Sequence, residues 1–197
     1  MLDKIRTEYD KFLKNKANWQ KEMWKLNLNK LYVISWITCI GKNFLIDKFK
    51  LPTLYSYKTW NNVSLRWRQI YVEPEKFYKN MVKWLYFDIY WLNDKYYAYS
   101  LEDYFILSKE YDKVFVDISI ESIYEWLKYN PKKIIILDYD DKQLEFNIEK
   151  RIKERWYDKN RIQKLMKIIN DEKKMLKEIK KTNKDLIYLK ELKNLLK

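Results

Sequence analysis

Residues Lys132 to Asp141 read KKIIILDYDD: two lysines, four consecutive aliphatic residues, then three aspartates within four positions. A short, wholly apolar and β-branched run of this kind predicts a strand buried on both faces, as in parallel sheets. Alternation along a strand sends Asp138 and Asp140 to one side and Tyr139 to the other, just past the C-terminal end where α/β sheets bind ligands. Two carboxylates so placed can face one divalent cation, Mg or Mn, which takes oxygen ligands and keeps positions open for phosphate. The same residues admit a plainer reading, because Asp-Asp-Lys between IIILDY and QLEFNI also makes an ordinary hairpin turn.

Upstream, LYVISWI at Leu31 to Ile37 predicts another buried strand, followed by a short helix over Gly41 to Lys50 and a strand candidate at Thr53 to Tyr57. Pro74 stands where a first helical turn tolerates proline, predicting a helix to about Lys83. Tyr86 to Leu92 and Tyr96 to Leu101 flank Asn93-Asp94-Lys95 as the arms of a hairpin. Glu102-Asp103 suits the start of a helix, Val114 to Ile118 is a further strand, and Ser119 to Asn130 reads as a helix ending before Pro131. From Leu2 to about Asn29, apolar residues such as Ile5, Tyr9 and Phe12 recur at helical intervals. Beyond Gln143 the character changes: residues 142–197 hold 18 Lys and Arg against 9 Asp and Glu, with Ile162, Leu165, Ile169, Leu176, Ile179, Leu186, Leu189 and Leu196 at helical spacing. One long helix or a helical hairpin is expected, with a break near Thr182-Asn183, where Thr182 and Asp185 have capping-box spacing. The expected organisation is N-terminal helices over 1–30, an α/β core over 31–160 and a basic helical extension over 161–197.

Composition narrows the chemistry. The 197 residues contain 41 Lys and Arg against 28 Asp and Glu, a formal charge of +13, and no histidine. Histidine-dependent triads, HExxH zinc sites and imidazole acid/base catalysis are therefore excluded. The single glycine, Gly41, cannot build GxGxxG or GxxxxGK[ST], which excludes Walker-type NTPases, glycine-loop kinases and standard dinucleotide-binding Rossmann domains. The single cysteine, Cys39, makes no disulfide within the chain, as expected in a reducing compartment. The first residues show no signal-peptide pattern, and the longest apolar run, Leu31 to Ile40, is about half of the roughly 20 residues a membrane span needs. An intracellular, cytoplasmic protein is expected. Heavy use of Lys, Ile, Tyr and Asn suggests an AT-rich coding sequence, as in a virus or mobile element.

A buried strand running into Leu137-Asp138-Tyr139-Asp140-Asp141 resembles the DXD region of GT-A-fold glycosyltransferases, and the upstream LYVISWI, helix, TLYSY order is similar to their first strand–helix–strand unit. The resemblance implies a GT-A-like mixed sheet flanked by helices and a metal-dependent transfer of sugar from a nucleotide-sugar donor to an acceptor protein, glycan or lipid. It implies Asp138 and Asp140 as metal and diphosphate ligands. It also implies nucleotide contacts near Ser35 and Thr38, at the end of the first strand, and near Tyr57 and Lys58, at the end of the second. An inverting transfer needs a carboxylate base, for which Asp158, Glu154, Glu149 and Glu145 are candidates. Asp158 is favoured because Tyr157-Asp158 followed by Arg161 is similar to the family's acidic-pair-then-arginine pattern.

A rival reading comes from a different class. Arg66-Trp67-Arg68 and the lysine-rich tail combine positive charge with aromatic faces, as in a basic nucleic-acid-binding or inhibitory protein. The same tail suits an anionic membrane surface.

Overall fold

A computed structural model of the chain describes residues 3–11, 14–15, 28–59, 69–83, 85–92, 95–124, 133–182 and 187–189. The chain is α/β and divides into two compact units, one made of Met1–Leu31 with Pro52–Val116, the other of Tyr32–Leu51 with Asp117–Lys197. Arg66-Trp67-Arg68 and the turn at Asn93-Asp94 lie outside the described residues.

The first unit starts with helical residues 3–11, α1. Its sheet has the order β3–β2–β5–β4, from β2 (Ser56–Lys58), β3 (Gln69–Tyr71), β4 (Tyr86–Leu92) and β5 (Lys95–Ser100). The sheet is mixed: β2 runs parallel to β3 and antiparallel to β5, and β4 and β5 form the expected antiparallel pair. Tyr90 and Tyr97 face each other across that pair with rings stacked at 5.1 Å, the cross-strand contact that favours aromatics in hairpins. Helix α3 (Pro74–Val82) has its proline in the first turn and buries Phe77 and Met81, four residues apart on one face. Ser100 caps α4 (Leu101–Glu110) by accepting the Asp103 N–H at 3.3 Å, so the chain turns from strand to helix at the pair Glu102-Asp103. The unit's core joins Ile5 of α1 to Val72, Phe77, Met81, Tyr86, Ile89, Tyr96 and Ala98. The strand expected at Thr53 to Tyr57 begins later, at Ser56, because Thr53 and Leu54 instead bridge to Phe115.

The second unit is built on a sheet of order β6–β1–β7–β8. The strands of that sheet are β1 (Leu31–Trp36), β6 (Val114–Ser119), β7 (Ile134–Leu137) and β8 (Ile187–Leu189), with Leu31 and residues 114–116 counted in the first unit. β7 lies parallel to β1, with Ile34 opposite Ile135, and parallel to β8, with Ile136 opposite Tyr188. All four β7 residues are buried, which is why no polar residue interrupts the run. The connecting elements are α2 (Lys42–Lys48), a 3-10 turn at Ile120–Ser122, α5 (Asp141–Glu154) and α6 (Lys159–Thr182). α6 buries Leu165, Ile169, Glu172, Leu176 and Ile179 along one stripe.

Three expectations are corrected. Among the described residues there are two four-stranded sheets where the GT-A-like reading has one mixed sheet. Asp138 to Asp141 is not a hairpin turn, because α5 begins at Asp141. The C-terminal extension is not helical throughout: Ile187–Leu189 returns to the sheet beside β7, and apolar residues at helical intervals there conceal a strand whose partner lies some 50 positions earlier.

Candidate functional site at the C-terminal edge of the parallel sheet

Strands β1 and β7 are adjacent and parallel, and their chains leave in opposite directions, β1 continuing to β6 on one side of the pair and β7 to β8 on the other. That is the topological switch point at which open α/β sheets form a crevice beyond their strand ends. Two loops border it: residues 37–41 after β1 and residues 138–140 after β7.

The loop after β1 carries unusual backbone. Cys39 has φ 73° and Gly41 has φ 90°, both left-handed. Such a conformation costs a non-glycine residue roughly 1–2 kcal/mol, and backbone held that way clusters at functional sites. The Ile40 N–H returns to the Ile37 carbonyl at 3.3 Å, closing the turn, and Gly41 stands at the N-cap of α2 without a side-chain cap. N–H groups at a helix start lack intrahelical acceptors, and alternating right- and left-handed backbone points successive N–H groups inward as an anion nest. Thr38 is held from α6: Glu172 Oε2 accepts the Thr38 N–H at 2.7 Å and Oε1 the Thr38 hydroxyl at 2.8 Å.

Arg151 of α5 approaches the same loop, donating from Nη1 to Cys39 Sγ at 3.5 Å and from Nε to the Tyr157 hydroxyl at 3.4 Å. Among the described residues both acceptors are neutral, so the guanidinium charge has no carboxylate partner there. Its field is felt nearby. Burial pushes the Tyr157 phenol up, but hydrogen bonds from Arg151 and Arg155 outweigh burial and leave it below its ordinary value. Burial dominates at Cys39 and holds its thiol up despite Arg151 beside it.

The loop after β7 is polar and already engaged. Asp138 Oδ1 pairs with Lys180 Nζ at 2.7 Å and accepts the Tyr139 N–H at 3.1 Å. Asp140 is the N-cap of α5, its Oδ1 taking the Gln143 N–H at 2.9 Å. Asp141 pairs with Lys173 at 2.8 Å, and the Lys173 ammonium lies 5.1 Å from the Tyr139 ring centroid. The residues do not fit the Mg or Mn expected at Asp138 and Asp140, since a divalent cation needs several free oxygen ligands. Among the described residues no group of three acidic or cysteine side chains is placed to hold a metal ion.

The other predicted site residues are dispersed. Ser35 is fully buried and its hydroxyl donates to the Ile118 carbonyl at 3.2 Å, a contact within the sheet. Tyr57 and Lys58 belong to the first unit, where the Tyr57 hydroxyl donates to Asp103 at 2.8 Å and the buried Lys58 ammonium to Gln69 at 3.1 Å. Asp158 caps α6 by accepting the Arg161 N–H at 2.8 Å, so the Tyr157-Asp158-Arg161 spacing is that of a helix start. Glu154 is exposed in the last turn of α5 and pairs with Lys150 at 3.7 Å. Thr38 alone of these lies in the loop after β1. The sequence reading missed Gly41-Lys42 as a pair, Arg151 and Glu172. The signal for the first was present: Trp36 to Asn43 keeps the Gly-Lys of GxxxxGK[ST], with Trp36 at the first glycine and Asn43 at the hydroxyl position.

No protein-family model and no curated protein matches the chain. Among solved structures it is similar to a guanylate kinase from Anaplasma phagocytophilum, with 12% identity and a TM-score of 0.44 over 73% of this chain and 84% of that one. The resemblance to GT-A glycosyltransferases is accordingly withdrawn. No family or curated match supports it, and the aspartates that carried it serve as a helix cap and an ion-pair partner.

Proposed function

We propose that the second unit binds the phosphates of a nucleotide in the crevice between β1 and β7, with the 37–41 loop as cradle. The carrying observation is the loop itself: a strand runs into a turn with two left-handed residues, and a helix starts at Lys42 directly after it. This is the strand, turn and helix order of phosphate-binding loops. Cys39 takes up the left-handed conformation for which such loops commonly use glycine, so a chain with one glycine still makes the turn. Arg151, whose acceptors among the described residues are a thiol and a phenol, supplies a cation for a bidentate contact to phosphate. Asn43 replaces the hydroxyl that holds Mg in the complete signature, which favours binding over metal-assisted phosphoryl transfer.

The test is thermal stability against the mono-, di- and triphosphates of the common nucleosides, with and without Mg. A ligand at 100 times its Kd adds about 2.7 kcal/mol to native-state stability. A shift with at least one nucleotide, lost in Lys42→Ala and in Arg151→Ala, is expected. Absence of any shift across the panel refutes the reading.

A second reading keeps one observation in its favour. Lys164, Lys167, Lys174, Lys177 and Lys181 are exposed on α6, over a helix length of about 25 Å. A stripe of that kind suits a nucleic-acid backbone, and binding of this class weakens steeply with salt. Nucleic-acid affinity that persists when these lysines are replaced by glutamine rules it out.

A further inference from the structure

We infer that Glu172 is the positioning residue of the 37–41 loop: a buried carboxylate on α6 fixes the backbone turn on which the anion cradle is built. The inference rests on the nucleotide reading for its ligand, though not for its geometry.

Glu172 lies in the apolar stripe of α6, between Ile169 and Leu176, and is 6% exposed. A leucine would complete that stripe, so helix packing alone does not call for a carboxylate. Burying one is costly unless its oxygens are satisfied. Each accepts a bond from a residue 134 positions away, one oxygen taking the Thr38 N–H at 2.7 Å and the other its hydroxyl at 2.8 Å. Charge-assisted bonds of this length hold geometry strongly. The clamped residue, Thr38, lies immediately before Cys39, and holding its N–H and side chain restricts the direction from which the chain enters the left-handed turn at Cys39 and Gly41.

The pairing also explains the residue type at position 38. Its hydroxyl on Cβ meets the second oxygen while its own N–H meets the first. Glu172 and Arg151 both act on Cys39, with opposite effects on its thiol. The carboxylate is thereby engaged by the N–H and hydroxyl of Thr38, and Arg151, whose acceptors among the described residues are a thiol and a phenol, offers its charge to an incoming anion.

The sequence supplies its own reporter. Gly41 is the single glycine, so protein labelled with nitrogen-15 glycine gives one glycine amide resonance, from the loop itself. The full chain is compared with Thr38→Val, Glu172→Gln, Glu172→Leu and the Thr38→Val/Glu172→Leu double variant, each checked by circular dichroism. Binding of inorganic phosphate, pyrophosphate and the nucleotide panel is measured by titration calorimetry. The Gly41 resonance is expected to move in Thr38→Val and Glu172→Leu, to move less in Glu172→Gln, whose amide oxygen still accepts the Thr38 N–H, and to move no further in the double variant. Affinity is expected to fall roughly tenfold or more in Glu172→Leu, as for a misplaced binding group. A Gly41 resonance unmoved in folded Glu172→Leu overturns the inference. If Glu172→Leu does not fold, unmoved resonances in Thr38→Val and Glu172→Gln overturn it equally. A moved resonance in a protein whose wild type binds no phosphate compound upholds the clamp and refutes the nucleotide reading.

Discussion

Replacing Gly41 with alanine separates backbone conformation from space at the centre of the candidate site. Gly41 has φ 90° and ψ 25°, where an L side chain is strained. A Cβ built there meets Asn147 Nδ2 at 3.6 Å, ordinary van der Waals contact, so the substitution is not opposed by a clash. Left-handed backbone costs a residue with a Cβ about 1–2 kcal/mol. Alanine recovers about 0.4–1 kcal/mol by restricting the unfolded chain. The net expectation is a loss of about 1 kcal/mol, which in a protein of this size lowers Tm by about 2–4 °C. Urea unfolding of the two proteins, with unchanged m values and a lower midpoint for Gly41→Ala, measures it. A variant more stable than the wild type by 0.4 kcal/mol or more, the gain alanine brings where its backbone is unstrained, refutes the left-handed assignment at Gly41. With it falls the cradle built on that turn. A loss of several kcal/mol refutes the steric half of the reasoning, because it requires a collision that the 3.6 Å contact does not provide.

Asp140→Ala removes the N-cap of α5 and is expected to cost about 1 kcal/mol at every metal concentration tested; stability that depends on Mg or Mn in the wild type and not in the variant contradicts the capping role. Ile135→Ala empties a fully buried position in the central strand β7 and is expected to cost about 2–5 kcal/mol by denaturant unfolding; a loss under 1 kcal/mol contradicts its packing. Burial holds the phenols of Tyr86, Tyr96 and Tyr104 above the ordinary value of 10.0, and burial with a hydrogen bond to Asp103 holds Tyr57 higher still. A raised folded-state value favours the neutral phenol, so this contribution is fully present below pH 10 and is lost as pH rises toward the folded values. Tyrosinate absorbance should therefore lag in the native protein and rise together with alkaline unfolding; gradual ionisation of all four near pH 10, without unfolding, contradicts it.

Where local chemistry and tertiary demand agree, the sequence is easy to read. KKIIILDYDD and LYVISWI become adjacent parallel strands because wholly apolar β-branched runs suit a position covered on both faces. Pro74 starts a helix and the Tyr86 to Leu101 arms pair, as their residue types require. The acidic run after β7 was placed correctly at the end of a strand, but its role was not legible there. Asp140-Asp141-Lys142-Gln143 has the spacing of a capping box as well as of a metal motif, and whether a carboxylate meets a cation or a helix N–H depends on what the chain does next.

By itself the sequence determined the α/β class, most element positions, the positive charge and the exclusion of histidine chemistry, because these follow from composition and short-range periodicity. Tertiary structure alone decided that residues 32–51 join residues 117–197, that Ile187–Leu189 is a strand, and that Lys180, Lys173 and Glu172 of one helix reach Asp138, Asp141 and Thr38. These pairings span 32 to 134 positions. A residue's own neighbours in the chain carry no information about a partner that only folding brings within 3 Å, and the candidate site consists of such partners.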